Sequence, residues 1–354
     1  MPLTATPSPP ALPLRSAERD TPWSTDELPP GAVIAKPDPE HIVVVSVTEP
    51  AGPRPESVLT VRSRDGSGQE FSYRPPPAGW LPVDWQILDG ALYVIEISMD
   101  ESVDQGSARL MRVDLGNRRV EQILVRSVHP LWPRLSAGGN GQPRPIRYSL
   151  LTFGNELIVT GINVKNPAEH CVIAIRPRDN TERTVACGAG PPTIEPADGG
   201  VLIRLPDNSP NGCSVRLLVP GRGEFGLPVF IGYCQYLQII PLDGWQAYLT
   251  DTPEPALPLL ATNGTDRVML GMATMFAVYC HGRLYWVSGG GTESFGTQVL
   301  RWTPGASEVE VVRRSQDETV FGFLTCTEGT LGVQVYSSAT DNFRLTSLLM
   351  LDRP

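Results

Sequence analysis

Lysine is nearly missing from this chain: only Lys36 and Lys165 occur among its 29 basic residues. Such an arginine bias is what a GC-rich coding sequence produces, and it points to a bacterial source without implying a binding feature. Histidine is scarce as well, limited to His41, His129, His170 and His281. That leaves few members for a histidine-based metal site or catalytic triad. There is no His-Glu-x-x-His, no Cys-x-x-Cys, no Gly-x-Ser-x-Gly and no glycine loop of the phosphate-binding kind. No run approaches the ~20 apolar residues of a membrane span. The nearest, 227–242, is interrupted by Pro228, Gln235, Gln238 and Pro241. The net charge of −9 gives a nucleic acid or an anionic bilayer no electrostatic attraction. Residues 1–20 show no basic start followed by an apolar stretch, so no signal peptide is visible.

What is present is turn chemistry. Glycine at 34 and proline at 36 residues are both abundant, as many short strands joined by tight turns require. A marker recurs ahead of β-rich apolar runs: Asp89-Gly90, Gly154-Asn155, Asp198-Gly199, Asp243-Gly244, His281-Gly282 and Glu328-Gly329, with Asp38-Pro39-Glu40 as a degenerate first copy. From the second marker onward the copies lie about 38 to 47 residues apart, the interval of a propeller blade. The wider gap before Gly154 holds an insertion. The expected fold is all-β, a seven-bladed β-propeller of four-stranded antiparallel blades, occupying residues 31–354 as one domain. Residues 1–30, with their prolines, read as an arm or linker. A pair of β-sandwiches is the runner-up and leaves the even spacing unexplained. Alternation within strands is weak, as in Leu92-Tyr93-Val94-Ile95, which suits sheets packed on both faces. The seventh repeat shows only three strands, so the N-terminal arm is expected to supply the fourth. Ala11 to Leu14 is the candidate, with Pro13 restricting it to an edge.

The stretches Asp89-Gly90-Ala91-Leu92-Tyr93 and His281-Gly282-Arg283-Leu284-Tyr285 are similar to strand starts in Kelch-like and quinoprotein-like propellers. The chain thus resembles the β-propeller superfamily over residues 31–354. The Gly-Gly pairs of Kelch repeats, the Trp-Asp ending of WD40 blades and the quinoprotein tryptophan docking pattern are all missing, so no family is assigned.

The six cysteines can be paired by geometry. Cys171 and Cys187 are symmetric about Asp179, and Cys213 and Cys234 about Gly223-Glu224, so hairpins there place each pair opposite one another. Cys280 and Cys326 close equivalent strands of adjacent blades. Complete pairing favours an oxidising compartment, secreted or periplasmic, over six reduced cysteines packed as small apolar residues.

Site chemistry is expected on the face that carries the loops between second and third strands. Those loops hold Glu49, Asp100, Glu101, Asp104, Glu169, Asp207, Asp251, Glu254, Glu293 and Asp341, an acidic rim suited to a cationic partner or to calcium. Loop acidity alone also gives such a pattern. The 129–145 insertion offers Trp132 and Arg134 on the same face. Trp80 and Trp85 flank Asp84, the composition of a carbohydrate subsite, although tryptophans between blades usually fill core. Asp84 and Glu195 are the carboxylates that could face the channel. Asn263-Gly264-Thr265 matches a glycosylation acceptor and, equally, a preferred hairpin turn; the turn is favoured. The functional expectation is an exported module binding a protein or glycan partner, with no resident cofactor. The rival is a calcium-dependent hydrolase or lactonase with carboxylates at the channel mouth.

Overall fold

In a computed structural model the chain forms seven sheets arranged as successive blades of a β-propeller. It describes residues 9–48, 56–66, 70–75, 80–98, 106–128, 150–162, 170–189, 192–197, 199–206, 213–219, 221–226, 236–250, 257–274, 276–289, 295–316, 318–337 and 343–352. Blade 1 comprises Ala32–Pro37, His41–Thr48, Glu56–Ser63 and Phe71–Tyr73. Blade 2 comprises Trp80–Leu88, Ala91–Ser98, Gly106–Asp114 and Val120–Val128. Blade 3 is Leu150–Phe153, Glu156–Ile162, His170–Arg176 and Thr181–Gly188, and blade 4 is Thr193–Ala197, Gly200–Pro206, Cys213–Val219 and Gly223–Gly226. Blade 5 follows with Tyr236–Pro241, Gln246–Thr250, Leu257–Thr262 and Arg267–Ala273. Blade 6 has Val278–Cys280, Arg283–Ser288, Gln298–Trp302 and Val309–Arg314; blade 7 has Thr319–Thr327, Thr330–Ser337 and Arg344–Leu351. Within each blade, neighbours in sequence pair antiparallel.

The recurring marker is the turn between first and second strands. Asp89 and Gly90 both have positive φ (50° and 71°), as do His281 and Gly282 (55° and 70°) and Glu328 and Gly329 (46° and 87°). Two left-handed residues in a row give the two-residue turn whose twist matches the flanking strands.

Packing explains the weak alternation. Along the second strand of blade 1, Val43 and Val45 pack toward blade 2, whereas Ile42 and Val44 pack toward blade 7. Leu92 and Val94 face blade 1 while Tyr93 and Ile95 face blade 3. Leu284 and Trp286 join blade 5, and Tyr285 and Val287 join blade 7. Every blade is therefore a sheet sandwiched by its neighbours, so both faces of its central strands are apolar.

The N-terminal arm is structured over its described part. Ala11 bridges Met269 on the outer edge of blade 5, and Leu14–Ser16 pairs parallel with Val309–Val311 outside blade 6. Ser24–Glu27 then pairs antiparallel with Ser347–Met350 as the outermost strand of blade 7. The closing strand is thus Ser24–Glu27, and the Ala11–Leu14 segment lies on earlier blades. Proline explains the offset: Pro13 cannot donate to a ladder, and the polar Ser-Thr-Asp-Glu tetrapeptide, unremarkable as sequence, keeps every N–H. Leu12, Ala17, Trp23 and Leu28 anchor the arm to the cores of blades 5 to 7 and the seam with blade 1. The Trp23 indole donates to the Val312 carbonyl (3.1 Å). Ion pairs of Arg15 with Glu308 (3.1 Å) and Glu310 (3.0 Å) and of Asp26 with Arg62 lie between these anchors.

Two disulfides are present among the described residues. Cys171 and Cys187 are register partners on neighbouring strands of blade 3, with Cα atoms 4.0 Å apart. Cys280 and Cys326 join the innermost strands of blades 6 and 7 across 5.9 Å. The Cys213–Cys234 pairing lies outside the described residues. The hairpin invoked for it turns earlier than its symmetry required, because Val219 faces Gly223 and Arg216 faces Gly226.

Replacing Trp23 with Ala removes an apolar anchor and a hydrogen bond, and should cost ~2 kcal/mol in urea unfolding with little change in slope. Glu328 combines a positive φ with a carboxyl pushed up by burial and by the Asp38 and Glu40 charges. Its ionised form therefore destabilises the fold, increasingly so as pH rises through its raised value. Glu328→Asn should raise the melting temperature at neutral pH; the charge part of the gain should vanish below the ordinary carboxylate range, leaving the smaller part that comes from the left-handed backbone.

Candidate functional site

Blades 1 to 6 each contribute four consecutive antiparallel strands, so the innermost strands of all seven blades run the same way along the central channel. Their beginnings gather at the mouth that carries the connections between blades, and the marker turns lie at the opposite mouth. A cavity of about 840 Å³, including its solvent-open part, lies in the channel. Its walls are Ile34 and Lys36 of blade 1, Val83 to Trp85 of blade 2, Thr193 to Glu195 of blade 4, and Gln238 of blade 5. Phe276 to Val278 at the start of blade 6, with Phe323 to Thr325 and Gln334 of blade 7, complete it.

Bulges aim these residues. Register shifts occur between Ala32 and Ile34, between Pro82 and Asp84, between Tyr236 and Gln238, and between Phe321 and Leu324. An extra residue bends the strand and turns side chains out of strict alternation, as at Val83 to Trp85 and at Phe323 to Thr325, whereas Thr193 to Glu195 line the wall from a strand in regular register.

The polar members of the wall tie blades together. Asp84 is fully buried. It pairs with the Lys36 ammonium and accepts the N–H groups of Trp85 (2.9 Å) and Leu150 (2.9 Å). Gln86 donates to the Leu150 carbonyl (3.2 Å), so blade 2 grips both backbone groups of one residue in blade 3. Gln238 does the same to Ala277, donating to its carbonyl (2.8 Å) and accepting its N–H (2.9 Å). The same Gln238 amide also donates to Glu195 (3.1 Å), spanning blades 4, 5 and 6. Gln334 donates to the Ala35 carbonyl (2.9 Å) and accepts the Tyr336 hydroxyl (2.6 Å), binding blade 7 to blade 1. The Lys36 ammonium sits 4.8 Å from the centroid of the Trp85 ring, a cation–π contact. A buried charge is tolerable only when paired and hydrogen-bonded in this way.

A second buried network lies between blades 1 and 2. Glu96 is fully buried and accepts the Tyr73 hydroxyl (2.7 Å) and the Arg109 guanidinium (2.7 Å). Burial pushes the Glu96 carboxyl up, opposed by those two donors. Burial and the Glu96 charge push the Tyr73 hydroxyl far up, so it remains a donor.

Asp84 and Glu195, the two carboxylates singled out from sequence, thus line one cavity. Trp80 does not; half-buried, it stacks on Arg109 with the guanidinium carbon 4.1 Å from its ring centroid. Trp85 fills core between blades 1 and 2. Asp100, Asp104, Trp132 and Arg134, together with the rest of the acidic rim, lie outside the described residues. Among the described residues no three His, Cys, Asp or Glu side chains gather as a metal site. Lys36, Gln238, Gln334, Phe276 and Phe323 were not anticipated. A signal existed for the glutamines: Gln86, Gln238 and Gln334 each stand alone between apolar neighbours.

No family model matches this chain, and no curated protein sequence matches it. Solved structures do. The β-propeller domain of the Trilobed protease from Pyrococcus furiosus superposes with a TM-score of 0.58 at 10% identity, over 91% of this chain and 93% of that one. A prolyl endopeptidase gives 0.57 at 10% identity over 92% of this chain, which spans only 50% of the endopeptidase. The polysaccharide lyase Uly1 gives 0.53 at 11% identity over 91% of this chain and 90% of its own. Identities this low show the fold, and the fold is that of a seven-bladed β-propeller.

Asp84→Asn removes the charge partner of Lys36 and sets an amide group against at least one donor. It should cost ~3 kcal/mol in chemical unfolding, whereas an exposed pair such as Arg15–Glu308 should contribute ~1 kcal/mol or less.

Proposed function

We propose that this propeller is a binding module that takes an apolar group of a protein partner into the mouth of its central channel. The observation that carries the reading is the commitment of the cavity's polar side chains. Asp84, Lys36, Glu195, Gln238 and Gln334 all bond within the wall. Beside Thr193 and Thr325, the surface that remains for a ligand comes chiefly from the part-exposed Ile34, Phe276 and Phe323, backed by the buried Val83, Ile194, Val278 and Leu324. A concave, chiefly apolar site with few polar groups suits an aliphatic or aromatic side chain presented by a peptide. A sugar, which needs many hydrogen-bonding groups, is poorly served there. A hydrolase reading requires carboxylates that can reach a substrate or a calcium ion. Asp84 is already engaged by an ammonium and two backbone N–H groups, the interactions that such a role would have to displace.

On this reading the module works in an oxidising compartment. Support comes from the Cys171–Cys187 and Cys280–Cys326 bonds.

Random peptides displayed on phage, selected on the immobilised protein, should converge on sequences with a bulky apolar residue. Binding of a selected peptide should weaken at least tenfold in Phe323→Ala, measured by fluorescence anisotropy. Selection of peptides that bind Phe276→Ala and Phe323→Ala unchanged, or preferential binding on a glycan array, would remove the reading.

A further inference from the structure

We infer that the Cys280–Cys326 disulfide is a redox control on the channel-mouth cavity, holding its wall between blades 6 and 7 while closed and loosening it when reduced. The inference rests on the reading of that cavity as an apolar binding site. Phe276, Ala277 and Val278 on one side, and Phe323, Leu324 and Thr325 on the other, form this part of the wall. The bond joins the same two innermost strands immediately beyond them, two residues after Val278 and one after Thr325.

The blade 7 side of the wall is pinned at both ends. Above, Phe321 exchanges backbone hydrogen bonds with Gly296 of the blade 6 connection (2.7 and 2.9 Å). Below, Cys326 is held covalently to Cys280. Between the pins the strand loses register from Phe321 to Leu324, leaving Gly322 and Phe323 without register partners on the second strand. A bulged segment has few ladder bonds of its own, so its position depends on how its ends are fixed. At other seams the inner strands are tied by side-chain hydrogen bonds, such as Gln86 on Leu150 and Gln238 on Ala277, which no thiol can break. At this seam the tie is a disulfide.

The two cysteines differ in exposure. Cys280 is buried at 2% exposure, whereas Cys326 is only half-buried. A dithiol reductant attacks Cys326 Sγ through one thiolate, breaking the S–S bond and releasing Cys280 as a thiolate that takes up a proton. The second thiol of the reductant closes its own disulfide and frees Cys326 as a thiol. The Cys171–Cys187 bond undergoes the same exchange but lies within blade 3, away from the cavity, and serves as the internal control.

The test uses the full chain with N-phenylnaphthylamine, an uncharged apolar dye, titrated by fluorescence. Oxidised protein should bind it saturably. Affinity should fall at least fivefold in Cys280→Ala/Cys326→Ala, and fivefold on dithiothreitol treatment of Cys171→Ala/Cys187→Ala, with no fall in the latter before treatment. Hydrogen exchange at 276–280 and 323–326 should accelerate in step. Equal affinity and equal exchange with the bond closed and open would overturn the inference. Should the dye fail to bind, or bind Phe323→Ala unchanged, the apolar-site reading falls alone, and the exchange rates still decide whether the bond governs the wall. Native-state reduction of the folded protein keeps the test valid if the double cysteine variant does not fold.

Discussion

Burial of both faces of every blade is the constraint on which the remaining structure depends. A twisted four-stranded sheet with apolar residues on both sides has no stable existence alone. Here the valines of 43 to 45 distribute themselves alternately to the blades on either side. The same holds at 92 to 95 and at 284 to 287. The requirement propagates around the ring until the last blade must cover the first. It is met where Ala35, Ile42 and Val44 pack with Tyr336, Leu348 and Met350. Closure is then reinforced by Arg64, whose guanidinium grips Asp352 through two bonds of 2.7 and 2.8 Å. That pairing draws the Asp352 carboxyl below its usual range. Asp352 is more than half exposed, so solvent weakens the pair, and the apolar seam carries most of the closure.

The channel shows what such a ring does to polar residues near its axis. Innermost strands converge there, and their backbones need partners across seams rather than within sheets. Gln86 and Gln238 satisfy both the N–H and C=O sides of this need, with help from Asp84 in the first case. One consequence is chemical: once polar side chains serve the scaffold, the surface left to a visitor is hydrocarbon and aromatic ring. Scaffold and ligand preference then follow from a single set of contacts.

The architecture was legible in the chain because turn chemistry is local. Paired left-handed residues at Asp89-Gly90, His281-Gly282 and Glu328-Gly329 leave a mark that survives without any tertiary information. The two observed disulfides were legible for a similar reason, since hairpin symmetry and blade equivalence are countable. Bulges are not countable. The extra residues near Val33, Val83, Leu237 and Phe323 break the two-residue period, and nothing in composition announces them. Part of the cavity wall lies beside those breaks, so Phe323 was hidden, whereas Asp84 and Glu195 could be suspected as carboxylates within apolar strands. The closing strand escaped for a different reason. Ser24–Glu27 is polar and lies on an outer edge, where pairing is decided by backbone groups that every residue shares.

The arm that wraps blades 5 to 7 makes folding order a matter of waiting. Ser24 pairs with Met350, and Arg15 reaches Glu310, so these parts of the arm find their place only when blades 6 and 7 exist. During synthesis blades 1 to 4 can assemble by neighbour-to-neighbour packing, while the arm stays without its partners on blades 5 to 7. Contacts this distant in sequence carry a large loop-closure entropy and come late. Until then the outer edge of blade 7 presents open backbone groups to any other extended chain. The molecule is thus most vulnerable to mispairing in its last moments of assembly, and the polar Ser-Thr-Asp-Glu strand, a poor seed for aggregation, is well matched to that interval.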